Sequence, residues 1–327
     1  MATTRPRAIV PLDDFKESHN IMVYGDTGSG KTAQIASLKG RILILASEST
    51  IQIVVKKACT RLGLDWDKEK KRFFIWRIRS WADLEEAYLW LRDNQSAFDW
   101  VVIDSATSAQ NRAMRAAMEV AVKRNPEKRD IDLPDRGEHQ KMQNAIKRMI
   151  VDFNELDCNT LWFAQAMRRE DQDGNEIVVP FIMGKDYEVS AFACAQMNAF
   201  GYYAKRQSKK VKGQTDRVVI WESYADPNSS IEYWSKDRYD IFPKVCIMAE
   251  GNKQNMTLGD LIDMIDDEAL QRAAVRVAEH DDEAEPKRRP VKTTDKSHLK
   301  ARPTKPVAKP TRKTGLRAVA RPKSKEA

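Results

Sequence analysis

Gly25-Asp26-Thr27-Gly28-Ser29-Gly30-Lys31-Thr32 brings together, at fixed spacing, the residue types that polyphosphate chemistry needs. Gly25, Gly28 and Gly30 allow a tight loop that aims backbone N–H groups inward. Lys31 sets a positive charge against β- and γ-phosphates, and the Thr32 hydroxyl can ligate Mg²⁺. The pattern G-x-x-x-x-G-K-[ST] is met at every fixed position. It calls for ATP and Mg²⁺ as ligands, with the whole segment from Gly25 to Thr32 around the nucleotide.

Four further places could complete such chemistry. Asp104 ends the apolar run 100–104, and a carboxylate at the carboxyl end of a parallel strand can hold Mg²⁺ through water beside the phosphate crevice. Ser105 stands where an acid would be expected to activate the attacking water, so that acid must come from elsewhere. Glu48 follows the apolar run 41–46 and reads either as the residue that polarises the water or as a solvated residue opening the next helix. Gln165 closes the run 160–165 and reads as a sensor of the γ-phosphate or as a structural amide. Lys236 and Arg238, in Ser235-Lys236-Asp237-Arg238-Tyr239, could face a phosphate or simply be a solvated basic pair.

These residues need a scaffold that brings strand ends together. A short apolar run at 21–24 enters the loop, 41–46 and 160–165 read as buried strands, and 73–78 and 100–104 read as further strands. Between them, helical patterns fall at 33–39, about 51–62, 81–91, past residue 104, and about 138–156. Strands alternating with helices predict a parallel sheet covered by helices. Asp173-Gly174 is a hairpin-turn signal, and strand-like runs at 199–205, 217–223 and 231–236 extend the sheet in antiparallel or mixed fashion. A helix near 258–279 follows, and no internal repeat is visible.

With 327 residues and 42% hydrophobic side chains, the chain can bury a substantial α/β core, which excludes a fibrous or wholly disordered protein. Cys59, Cys158, Cys194 and Cys246 are scattered, with no CxxC pair and no adjacent histidines, as expected for a reducing cytoplasm without a zinc site. No run approaches the ~18 apolar residues of a membrane span, and no apolar segment follows the basic N-terminus, so a soluble, untargeted protein is expected. Residues 286–327 hold 15 Lys or Arg against Asp295 and Glu326, a net +13 in a chain of net +8, which leaves residues 1–285 at −5. The same segment has six of the 13 prolines and few large apolar side chains, so it reads as a disordered basic tail. Such a tail can neutralise nucleic-acid phosphates without reading sequence, or else keep the chain soluble or recruit an acidic partner. The expected organisation is a lead-in at 1–17, an ATPase core at 18–250, an acidic helical segment at 251–285 and the tail at 286–327. Trp76, Trp90, Trp100 and Trp162 lie in apolar patterns and read as core rather than as base-stacking platforms.

Taken together, the phosphate loop, Glu48 after the second strand, Asp104 without a following acid, and Gln165 ending a core strand resemble the RecA-type ATPase core. Within it they are most similar to the compact phage-encoded RecA-like ATPases of single-strand annealing and recombination. The Lys236-Asp237-Arg238 run is similar to the Lys-Asn-Arg-Phe-Gly motif of RadA. The resemblance covers roughly residues 18–245. It implies a RecA-like P-loop NTPase core with a mainly parallel central sheet flanked by helices. It also implies a homo-oligomeric ring or filament with ATP at subunit interfaces, where Lys236 and Arg238 reach the neighbour's nucleotide. Single-stranded DNA is the implied partner, with a phage or host single-strand-binding protein beside it. A helicase-loading or packaging ATPase, or a DNA-binding protein that uses ATP only as an assembly ligand, remains an alternative.

Overall fold

The computed structural model describes residues 18–170, 174–184, 187–208, 211–221, 224–225 and 231–266. The expected lead-in at 1–17, the basic tail at 286–327 and the acidic segment past residue 266 lie outside the described residues. So does Asp173 of the expected turn.

Strand β1 (Asn20–Gly25) shows why the chain builds layers on both faces of a sheet. Its side chains alternate, Ile21 and Val23 into one apolar cluster, Met22 and Tyr24 into the other. β2 (Ile42–Ala46), β4 (Trp100–Asp104) and the first half of β5 (Asn159–Glu170) divide in the same way. One cluster is closed by α1 (Ile51–Arg61), α7 (Leu258–Asp266) and the 3-10 helix Lys31–Ser37, with Trp66 of the short α2 (Trp66–Glu69) packed against it. The other is closed by α3 (Trp81–Asp93), α4 (Ala106–Arg124), α5 (Arg136–Asn154) and α6 (Glu188–Ala195). Each large apolar side chain taken from water stabilises by about 1.5–3 kcal/mol, so strands covered on both faces dominate the fold. The fold is mixed α/β, with a central sheet flanked by helices.

The described residues form thirteen strands, completed by β3 (Phe73–Arg77), β6 (Glu176–Pro180), β7 (Ala199–Gln207), β8 (Thr215–Ile220), β9 (Tyr224–Ala225), β10 (Ile231–Tyr233), β11 (Lys236–Asp237), β12 (Val245–Glu250) and β13 (Lys253–Gln254). Nine of them run in the order β13-β12-β8-β7-β1-β5-β4-β2-β3, while β6, β9, β10 and β11 pair off this path. The run from β7 to β3 is parallel, whereas β8, β12 and β13 continue it antiparallel. Register aligns Gly25 with both Gln165 and Tyr203, Phe163 with Asp104, and Asp104 with Ala46. The carboxyl ends of β1, β2 and β4 therefore open at one level, and β5 lies between β1 and β4. Beyond Gln165, β5 bends away to pair antiparallel with β6, forming the hairpin expected around Gly174.

Several expectations are revised. The helix after the phosphate loop is a short 3-10 helix starting at Lys31. The run 231–236 is two strands, not one. β10 pairs with β6 and β9 while β11 pairs with β7, because the Trp234 N–H turns to the Val178 carbonyl (3.1 Å) between them. β12, with a bulge between Ile247 and Ala249, adds a strand beyond those expected. Trp100 and Trp162 are core, but Trp90 is 40% exposed, its ring lying against Trp76 and Phe98 at the sheet's outer edge. β13 and α7, in the segment set apart from the core on sequence, join the packed sheet and the face beside the phosphate loop. Leu258 and Leu261 are buried there, and the Leu258 N–H donates to Gln34 Oε1 (3.0 Å). Among the described residues no helix is long and apolar enough to cross a membrane.

Candidate nucleotide site

The loop after β1 closes on itself before any ligand is considered. Ser29 N–H donates to the Asp26 carbonyl (3.2 Å), and Gly28 and Gly30 take φ values of 71° and 111°, a region most side chains avoid. Gly25 sits flush against β7: a β-carbon there would fall 2.2 Å from the Tyr203 carbonyl oxygen. The Lys31 ammonium folds over the loop, donating to the carbonyls of Gly25 (2.7 Å) and Asp26 (2.9 Å) and to Ser29 Oγ (3.4 Å). Burial lowers its pKa, while the charges of Asp104, Asp26 and Glu48 pull it back up. Asp26 and Thr27 are exposed, as expected of loop residues whose backbone rather than side chain would face phosphate.

Thr32 and Asp104 come together as the sequence expects. Thr32 Oγ1 donates to Asp104 Oδ2 at 2.8 Å, across the width of β5. Withdrawal from water raises the Asp104 pKa from 3.8 to about 6. The Thr32 hydrogen bond and the Lys31 charge oppose the rise, and the Glu48 charge adds to it. Glu48 is exposed in the bend after β2, two residues past Ala46, the register partner of Asp104, and its charge acts on both Asp104 and Lys31. Ser105, whose place an acid might have taken, caps α4, its Oγ accepting from Ser108 N–H (3.2 Å). The Asp104–Ser105 peptide bond is cis.

The donor set fits Mg²⁺. Among the described residues no cluster of three or more His, Cys, Asp or Glu side chains could hold a metal alone. A hydroxyl and one carboxylate, completed by phosphate oxygens and water, is a usual way of holding this ion. Thr32 and Asp104 are the residues that would do so.

Gln165 stands beside Gly25 in the β1–β5 ladder with its side chain exposed. Its backbone is fixed: its N–H donates to Thr107 Oγ1 (3.0 Å), and its carbonyl accepts from Phe181 N–H (2.7 Å). Lys236 and Arg238 are far from the chain's own phosphate loop. Lys236 pairs with Phe200 in β7, near the level of Met22, and its ammonium donates to the Met197 carbonyl (3.0 Å), while Arg238 N–H donates to the Asn198 carbonyl (3.0 Å).

Some residues at the site carry no motif. Arg112, on α4, donates from its two terminal nitrogens to the carbonyls of Ser108 (3.0 Å) and Ser47 (3.4 Å), holding the bend that presents Glu48. Arg168, on β5 past Gln165, reaches Asp26 of the loop (3.7 Å) and Glu176 of β6 (2.9 Å), and Tyr202 donates to the same Asp26 carboxylate (3.2 Å). Their only sequence signal is a basic or phenolic residue within a predicted element, which is too common to single out.

The AAA domain family matches residues 17–239. No curated protein matches the sequence. Among solved structures the chain is similar to a KaiC-like protein, PH0186, from the hyperthermophilic archaeon Pyrococcus horikoshii OT3. That likeness is 15% identical, covers 67% of this chain and 91% of that one, and has a TM-score of 0.39. The family match takes in the phosphate loop, Glu48, Asp104 and Gln165 and spans most of the chain, so this chain belongs to the AAA domain family and is a P-loop ATPase.

Proposed function

We propose that the chain hydrolyses ATP as a RecA-like motor or switch on single-stranded DNA, in recombination or annealing, and that it belongs to the phage-encoded branch of such proteins. The observation that carries the hydrolytic part is the Thr32–Asp104 hydrogen bond beside the Lys31-covered loop, with Glu48 at the same strand ends. Lys31 neutralises the transferred phosphoryl group, Asp104 and Thr32 orient the metal, and Glu48 takes a proton from the attacking water. Mg²⁺ held by Thr32 and Asp104 would supply charge neutralisation on the phosphates.

Two observations support DNA as the partner. The net +13 of residues 286–327 suits binding through counterion release. In addition, Asp26 is tied through Arg168 to the β5–β6 hairpin, so a change at the loop can reach the surface that follows Gln165. In the proposed homo-oligomer, Lys236 and Arg238 act on the nucleotide of the adjacent subunit, and a single-strand-binding protein shares the DNA. Steady-state phosphate release with single-stranded DNA, double-stranded DNA and none tests this reading. Stimulation by single strands alone is expected, reduced when residues 286–327 are deleted. Equal rates in all three conditions would remove DNA from the account.

A further inference from the structure

Two basic side chains outside the phosphate-loop motif stand over it. Lys205 and Arg217 are paired across the β7–β8 ladder, two residues beyond the pair Tyr203–Val219, which packs in the cluster shared with the 3-10 helix. The period of two along a strand puts Lys205 and Arg217 on that same face. A β-carbon placed at Gly30 would lie 3.4 Å from Arg217 Nε and 3.5 Å from its Cδ, and one at Gly28 would lie 3.9 Å from Lys205 Nζ. The two cations thus border the turn whose backbone N–H groups face phosphate.

Like charges directly opposite on a ladder disfavour folding, so the pairing calls for something that offsets it. Among the described residues no carboxylate forms an ion pair with either side chain. Arg217 Nε is also buried without a hydrogen-bond partner, and such a group is costly unless a ligand satisfies it. Arg217 lines two clefts. One runs between Gly30, Gln34 and Tyr203, and the other runs outward between Lys205, Gln214, Thr215, Gly251 and Asn252. Because β7 and β8 lie on the side of β1 away from β5 and β4, these cations face the loop from the side opposite Asp104.

We propose that Lys205 and Arg217 bind the phosphate chain of the nucleotide held by their own chain's loop. The outward cleft beside them then receives the nucleoside. The polyphosphate is gripped on one side by Thr32 and Asp104 and on the other by this basic pair, which selects nucleoside di- and triphosphates over less charged nucleotides. The inference rests on the reading of residues 25–32 as an ATP site and adds binding residues in cis, distinct from Lys236 and Arg238.

Titration calorimetry of the full chain with Mg-ADP and with adenosine tests it, comparing the wild type, Lys31→Ala, Lys205→Gln, Arg217→Gln and Arg217→Lys. Charge-assisted hydrogen bonds to phosphate correspond to about a ten- to hundredfold change in affinity. Lys205→Gln and Arg217→Gln should each weaken Mg-ADP by that order while holding the ligand-free melting temperature at or above that of the wild type, because each relieves the like-charge pairing. Arg217→Lys should recover part of the loss. Exposed Lys205 keeps the test open if Arg217→Gln does not fold. If Lys31→Ala loses Mg-ADP but Lys205→Gln, and Arg217→Gln where it folds, bind within twofold of the wild type, the basic pair is not a phosphate site and the loop assignment stands. If Lys31→Ala itself binds like the wild type, the loop assignment fails and the pair's role fails with it.

Discussion

Asp104 shows how one buried carboxylate can serve the site and cost the fold. Its folded-state pKa, about 6, lies above the ordinary 3.8, because leaving water disfavours the charged form more than Thr32 and Lys31 favour it. A raised carboxylate pKa means the native state holds the proton more tightly than the unfolded state. The associated stability is therefore complete below about pH 4 and is lost as the pH rises through about 6. Asp104→Asn, studied in chelator without nucleotide, should be more stable than the wild type by about 3 kcal/mol at pH 8. The difference should shrink to nothing near pH 4. Denaturant unfolding at a series of pH values measures it, and a difference that does not change with pH would mean the carboxylate is not held in a dry setting. Lys31, Thr32 and Asp104 are legible in the sequence because their roles lie in a contiguous motif or at a strand end. Lys205, Arg217, Arg112 and Arg168 are not, because only strand register and helix packing bring them to the loop.

At the scale of elements, the 3-10 helix behind the phosphate loop is held by a buried amide. Gln34 donates to the Tyr203 hydroxyl (3.1 Å) and accepts from the first N–H of α7 (3.0 Å), linking β7, the loop helix and α7. Gln34→Leu keeps the volume but leaves the Leu258 N–H and the Tyr203 hydroxyl without this partner, at a cost of about 1–3 kcal/mol for each buried group left unsatisfied. Thermal unfolding should fall by several degrees, and an unchanged melting temperature would show that α7 does not depend on this link. β1, β2, β4 and the first half of β5 were readable because strands covered on both faces appear as apolar runs, whereas β3 at the sheet's edge leaves Phe74 and Ile75 exposed. The single expected strand at 231–236 divides because the Trp234 backbone bonds to β6, and β12 needs its partner β8 before its apolar run can be told from a loop. Trp90 is exposed because its helix lies at the margin of the sheet beside β3. Edge position is invisible in a one-dimensional pattern.

At the scale of the molecule, the polarity of β7 separates two basic pairs. Lys205 lies past Tyr203, at the level of the phosphate loop, whereas Lys236 pairs near the other end of the strand. In the proposed assembly this separation is useful: one pair grips the chain's own nucleotide and the other meets the neighbour's. Mixing Lys31→Ala with Lys236→Ala/Arg238→Ala subunits should then restore ATPase activity above that of either alone, with subunit exchange followed by fluorescence transfer. Mixed assemblies that form and stay inactive would count against action in trans. The claim on which all of this stands is that residues 25–32 bind ATP and that Glu48 activates the water. It is tested most directly by measuring Mg-ATP affinity and phosphate release in parallel for the wild type, Lys31→Ala and Glu48→Gln. The account predicts that Lys31→Ala loses both while remaining folded, and that Glu48→Gln binds Mg-ATP normally but turns over about a hundredfold or more slowly. Wild-type affinity in Lys31→Ala, or wild-type turnover in Glu48→Gln, would contradict it.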